Sequence, residues 1–187
     1  STAFLTQQHP PIFVNQFNRV FVLVPQGSFE SMKDNLFKDH HSLAHDFNSE
    51  ILSEIIACCE VSAKAGKESL LLIDDFMTLL KDSSLRKQLE RTIANRRHLK
   101  LSVWVISQTF NALPLSTREL LSHIALFKSA NLKEIENVRS ELVPRLREEF
   151  DMIYRHIFKV GGDPHAFMWI DVGSGEIYNR FSRLVVT

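Results

Sequence analysis

The sequence has no surplus charge of either sign: 22 Lys and Arg balance 22 Asp and Glu. Any contact with a polyanion must therefore come from a local patch, since the whole surface is not basic. It has only two cysteines, Cys58 and Cys59, adjacent in the chain. Neighbouring helical residues point in different directions, so the expectation is two thiols in a reducing compartment and no bridge. No apolar run is long enough to span a bilayer, and no basic-then-apolar leader opens the chain. The sequence thus predicts a soluble, intracellular protein. It also lacks HExxH or paired-cysteine metal spacing, any triad pattern, and any G-x-x-x-x-G-K-[ST] phosphate loop. Ala65-Gly66-Lys67-Glu68-Ser69 holds a Gly-Lys pair, but the earlier glycine is missing and a strand follows it.

What is present is an ordinary globular mixture, 44% apolar and 24% charged in 187 residues. That length suits one domain, residues 1–187, able to bury about 70% of its unfolded surface without metal or disulfide. Apolar runs bounded by polar or turn residues predict strands over Arg19–Val24, Ser69–Asp74, Leu101–Ser107, Ile124–Lys128, Ala166–Val172 and Ile177–Ser182. The last two flank Gly173-Ser174-Gly175 and read as a hairpin. Helical spacing fills the gaps over Asp46–Lys64, with Gly66 placed to stop it, and over Leu85–Leu99, Leu132–Val143 and Arg145–Phe158. Pro144 suits the first turn of the last of these. Alternating strands and helices predict an α/β fold, a mostly parallel sheet covered on both faces, with an antiparallel hairpin closing it. Pro25–His45 reads as a long polar loop, with or without a short helix. The start, STAFLTQQ, reads as the interior of a helix, so the expectation is that residues precede Ser1.

Three stretches carry chemistry. Leu70-Leu71-Leu72-Ile73-Asp74-Asp75 delivers two carboxylates at the C-terminal end of a buried strand, the end at which open α/β sheets bind ligands. In nucleotide hydrolases a strand-end acid holds magnesium and a second acid can polarise the attacking water. The same two acids can also simply cap the chain or end the strand in solvent. The run Val103–Ser107 leads into Gln108, an amide that can donate and accept at once. If the two strands are neighbours, Gln108 stands beside the acids; alone, it is a hydrogen-bonded strand end. Asn95-Arg96-Arg97-His98 and Lys100 are either a solvated basic helix end or cations aimed at phosphate. His40, His41 and His45, with Asp39 and Asp46, form a histidine-rich loop, read as solvated because no other ligand spacing accompanies it.

Taken in order, these pieces resemble the poxvirus-type DNA-packaging ATPases of large DNA viruses, virophages and Polinton-like elements, in the FtsK–HerA branch of P-loop motors. The stretches that carry the resemblance are RVFVLVP, LLLIDDF, RRHLKLSVWVISQTFNALP, STRELLSHIALFKSANLKEIENV and FMWIDVGSGEIYNRF. The resemblance implies a P-loop, RecA-like fold and hydrolysis of ATP with Mg2+, coupled to moving double-stranded DNA into a capsid. By position it makes Asp74 the magnesium acid, Asp75 the catalytic base and Gln108 the polar sensor. Arg97 is the arginine acting on a neighbouring subunit, with Arg96 as alternate. Ser1 or Thr2, as the hydroxyl that follows a phosphate loop, would bind nucleotide, and Ser1 the metal. It further implies a homo-oligomeric ring, a capsid portal or vertex as partner, no membrane, and a place in the host cytoplasm, a viral factory or the virion. Without a phosphate loop the 187 residues are expected to be inactive by themselves. Two other readings remain open at this point. One is a structural or interaction protein that kept the fold and lost the enzyme; the other is an FtsK–HerA translocase or helicase with a different task.

Overall fold

The apolar runs form strands where the sequence places them, but in two sheets. The computed structural model describes residues 16–32, 37–38, 40, 42–144, 149–159 and 161–184. They divide into two compact units, the first running to Gln108 with Ala112–Ser116, the second comprising Thr109–Asn111 and residues from Thr117 onward.

In the first unit, β1 (Arg19–Leu23), β2 (Leu43–Ala44), β3 (Ser69–Asp74) and β4 (Leu101–Ile106) make a parallel sheet of order β2-β1-β3-β4. Strand β3 is buried from Ser69 to Ile73, as a strand covered on both faces must be. On one face Val22, Val24 and Leu72 pack with Phe29, Met32, Phe37 and Leu43. Phe29 belongs to a short helix, α1 (Gln26–Ser31). It lies inside Pro25–His45, the stretch read as a loop with or without a short helix; the two-residue β2 lies there too. The other face meets α2 (Ser49–Lys64), whose Cys59 thiol is raised above its ordinary pKa by burial.

The end of α2 follows from Gly66. At φ 76° it adopts the left-handed conformation that lets Gly66 N–H reach Ala63 O and Lys67 N–H reach Ser62 O, both at 2.9 Å. Helix α3 (Ser83–Ala94) begins and ends earlier than its apolar stripe predicts. Asp82 caps it by accepting from Ser84 N–H at 2.7 Å and Leu85 N–H at 3.1 Å. After Asn95 the chain tightens into successive turns, so Arg96, Arg97 and His98 lie beyond the helix. The four-residue α4 (Leu115–Arg118) carries the chain from the first unit into the second.

The second unit has its own sheet. Strands β5 (His123–Phe127), β6 (Phe167–Asp171), β7 (Glu176–Asn179) and β8 (Ser182–Arg183) pair antiparallel in sequence order. The expected closing hairpin is β6–β7, but it does not extend the parallel sheet. It joins β5, the run Ile124–Lys128, in a separate sheet. Helices α5 (Leu132–Leu142) and α6 (Phe150–Ile157) cover one face. There Val138, Leu142, Phe150, Ile153 and Ile157 pack on Leu126, Met168, Ile170 and Ile177. Helix α6 is the described part of the helix predicted over Arg145–Phe158; residues 145–148 lie outside the described residues.

Among the described residues, no helix is long and apolar enough to cross a membrane.

Candidate nucleotide site at the strand tips

The site is built by register. Strands β3 and β4 are parallel neighbours, with Ser69 opposite Leu101 and Asp74 opposite Ile106. The ladder runs one residue further, since Asp75 N–H donates to Ile106 O at 3.1 Å. Both strands end together, and Gln108 Nε2 donates to Asp75 Oδ2 at 2.9 Å. The carboxylate pair and the amide therefore stand side by side at the C-terminal edge of the parallel sheet. They line a shallow cleft of about 170 Å3 with Ser28, Ile106 and Ser107. That is room for a phosphoryl group and a hydrated cation, and is below the volume of typical pockets for whole small-molecule ligands.

The electrostatics favour a cation there. Burial raises the Asp74 carboxyl above its ordinary pKa, and the adjacent Asp75 raises it further. Two carboxylates sharing one strand end leave a place for positive charge. The backbone at Asp75 is also unusual. Its φ of 55° lies in the left-handed region, where a side chain costs about 1 kcal/mol or more, least for Asp and Asn. Asp is among the side chains that tolerate that backbone best.

The other predicted residues fall elsewhere. Arg97 is exposed, in the turn before β4 begins. It sits at the opposite end of β4 from Gln108, roughly 20 Å away at 3.3 Å per residue. Arg96 folds back so that Nη1 donates to Ile93 O at 3.1 Å. The structure does not bring either arginine to the carboxylates of its own chain. Ser1 and Thr2 lie outside the described residues, as do Asp39 and His41 of the histidine-rich loop. In that loop His45 Nδ1 is 3.0 Å from Val24 O and its ring meets Phe29 edge-on, while His40 Nδ1 accepts from Ser42 N–H. These histidines hold the chain around β1 and α1. Among the described residues no three His, Cys, Asp or Glu side chains gather to hold a metal.

Ser28 is the lining residue that sequence reasoning missed. It sits on α1, inside a stretch with no apolar periodicity to flag it. The only available hint was Pro25, which ends β1 at the same sheet edge and turns the chain across it.

With this geometry in hand, the comparisons are specific. A family model described as Poxvirus A32 protein matches residues 3–157. The chain belongs to that family. The match takes in β1 to β5 and helices α1 to α6, whereas β6, β7 and β8 lie beyond it. Solved structures extend the likeness over the A32-family chain as a whole. B204, the DNA-packaging ATPase from Sulfolobus turreted icosahedral virus, superposes with a TM-score of 0.63 at 12% identity, over 95% of this chain and 89% of that one. The genome packaging NTPase B204 from Sulfolobus turreted icosahedral virus 2, in complex with AMP, gives 0.66 at 12% identity over the same shares. Its complex with ATP-gammaS gives 0.60 at 12% identity, over 87% and 81%. At such identity these likenesses establish the fold, that of the viral packaging ATPases. A sequence search among proteins of curated function finds no match.

Proposed function

We propose that this A32-family chain is the motor domain of a viral DNA-packaging ATPase. In this reading it hydrolyses ATP with Mg2+ and couples hydrolysis to moving double-stranded DNA into a capsid. The observation that carries the proposal is the Gln108–Asp75 hydrogen bond at the tips of β3 and β4, beside the half-buried Asp74. The B204 structures, named as a packaging ATPase and solved with ATP-gammaS and AMP, support the choice of ligand.

The donor set fits magnesium. Asp74 and Asp75 offer hard carboxylate oxygens, and Mg2+ is commonly held by one or two carboxylates with phosphate oxygens and water completing the shell. When bound, the ion would neutralise charge developing on the transferred group. Asp74 is assigned to hold it. Asp75 accepts the proton of the attacking water through Oδ1, while Oδ2 is fixed by the Gln108 amide. Gln108 keeps its own carbonyl oxygen to orient that water, and Ser28 lies close enough to the cleft to hydrogen-bond a phosphate oxygen. Hydrolysis needs a phosphate cradle and lysine, and no such motif occurs in these 187 residues. Activity is thus expected of a chain in which a phosphate loop is joined ahead of Ser1, where Ser1 or Thr2 would complete the metal and phosphate shell. Arg97, exposed and remote from its own chain's acids, is assigned to a neighbouring subunit's nucleotide in a homo-oligomeric ring that docks at a capsid vertex or portal.

The experiment is ATP hydrolysis by the phosphate-loop-bearing protein and its Asp75→Asn variant. The expected result is loss of turnover with ATP binding retained. Wild-type turnover in the variant would remove Asp75 as the base.

A further inference from the structure

Resting on the reading above, we infer that Glu134 is a positioning residue for the hydrolytic site, setting Gln108 against Asp75 through the turn that follows Gln108. Glu134 is the one acid among the buried polar residues of the described chain, 5% exposed. Burying a carboxylate costs several kcal/mol unless its oxygens are well satisfied, so its place calls for a reason.

Helix capping does not supply that reason. Glu134 is the third residue of α5, after the N-cap Asn131, whose side-chain oxygen accepts from Lys133 N–H and Glu134 N–H. In a capping box the acid at this position would return to the N-cap N–H. Here Ser129 Oγ already takes the Asn131 N–H, at 3.1 Å. Glu134 is released and turns away from its own helix. One oxygen accepts the backbone N–H of Phe110, and the other accepts the Ser129 hydroxyl at 2.6 Å. Ser129 is itself pinned: Tyr154 Oη accepts its N–H and donates to its carbonyl, both at 2.9 Å.

Phe110 is held by its side chain as well as by its N–H. Its ring is buried, with the Arg118 guanidinium 4.9 Å from the ring centroid. Arg118 is anchored in turn by two hydrogen bonds to Glu141, at 2.8 and 2.9 Å. The next residue, Asn111, accepts from Asn137 Nδ2 at 2.7 Å. Thr109–Asn111 thus belongs to the second unit, while Gln108 before it and Ala112 after it belong to the first. The chain passes between units at Gln108–Thr109, one peptide bond beyond the amide that holds Asp75. Gln108 and the clamped N–H of Phe110 are only two residues apart. Loss of the Glu134 bond frees the Phe110 N–H and with it the backbone of Thr109, the one residue between the clamp and Gln108. Because a misplacement of about 1 Å can cost roughly 10²-fold in rate, the clamp sets the efficiency of the site without touching it.

The test is a double-mutant cycle on the phosphate-loop-bearing protein, joined to a spectroscopic readout on the nucleotide-free chain. Glu134→Ala should lower kcat roughly 10²-fold with KM for ATP unchanged. The pair Glu134→Ala, Gln108→Ala should be no slower than Gln108→Ala alone. Glu134→Gln, which keeps an acceptor for the Phe110 N–H, should restore turnover. In the nucleotide-free chain the side-chain amide resonances of Gln108 should move toward those of a free amide in Glu134→Ala and return in Glu134→Gln. If Glu134→Ala does not fold, Glu134→Asp takes its place, its carboxylate being withdrawn by one methylene. Losses that multiply, or a Gln108 amide that stays where it is, overturn the inference. A wild-type protein that does not hydrolyse ATP sinks the ATPase reading instead, and the amide resonances still decide the role of Glu134.

Discussion

Each unit ends a central strand in an aspartate, and the two could hardly be treated more differently. Asp171 closes β6 and is satisfied by its own turn: Oδ1 accepts Gly173 N–H at 2.9 Å and Ser174 N–H at 3.1 Å. The Ser174 bond foremost holds its carboxyl below the ordinary value, helped by Gly173 and His123. Gly175, at φ 73°, completes the hairpin with a 2.8 Å bond to Asp171 O. Asp74 closes β3, is half-buried beside a second acid, and is pushed the other way. Asp171 therefore stabilises a fold, whereas Asp74 costs stability and keeps a charge available. A strand-end acid is structural when turn N–H groups surround it, and a candidate site when another acid does.

The contrast can be broken first by exchange. In the phosphate-loop-bearing protein Asp75→Asn should lower turnover roughly 10²- to 10⁴-fold, whereas Asp171→Asn should leave it unchanged. Equal losses would mean both act through folding. Next in size, Arg97→Ala should cost about 10²-fold or more in the assembled ring and nothing in a dilute monomer. An equal loss in the monomer would place Arg97 in cis.

Smaller effects separate the two aspartates by pH. The raised Asp74 binds its proton more tightly folded than unfolded, so its burden appears as pH climbs through the ordinary carboxylate range and is full only above its raised pKa. Asp74→Asn should therefore raise Tm at neutral pH, with the gain vanishing in acid. The depressed Asp171 contributes stability above the ordinary range, lost as pH falls through its lowered pKa. Asp171→Asn should lower Tm slightly at neutral pH, and this difference too should vanish in acid. Thermal melts from neutral to acidic pH check both, and slopes of the same sign would dissolve the comparison. Smallest, Asp75→Gly should relieve the left-handed backbone and raise stability by up to about 1 kcal/mol, measured by denaturant unfolding. A loss of stability would show that the φ is not strained.

Much of this was legible in the residues. Apolar runs marked the strands, and Leu70–Asp75 with Val103–Gln108 announced that two acids and an amide would meet, because parallel neighbours in register bring their C-terminal tips together. The second sheet was not legible. Ile124–Lys128 is a short apolar run, and such a run does not encode which partner it takes. Ser28 was hidden because a six-residue helix has too few turns to show periodicity. The left-handed Asp75 was hidden because φ depends on the β3 exit and not on residue type alone.

The central claim, that Asp74, Asp75 and Gln108 converge on a γ-phosphate, is most directly tested by following the Gln108 side-chain amide by NMR in the phosphate-loop-bearing protein. With Mg2+ and ATP-gammaS the resonances should shift from their nucleotide-free positions, and with ADP they should remain there. The same shift in both nucleotides, or in neither, would contradict the assignment.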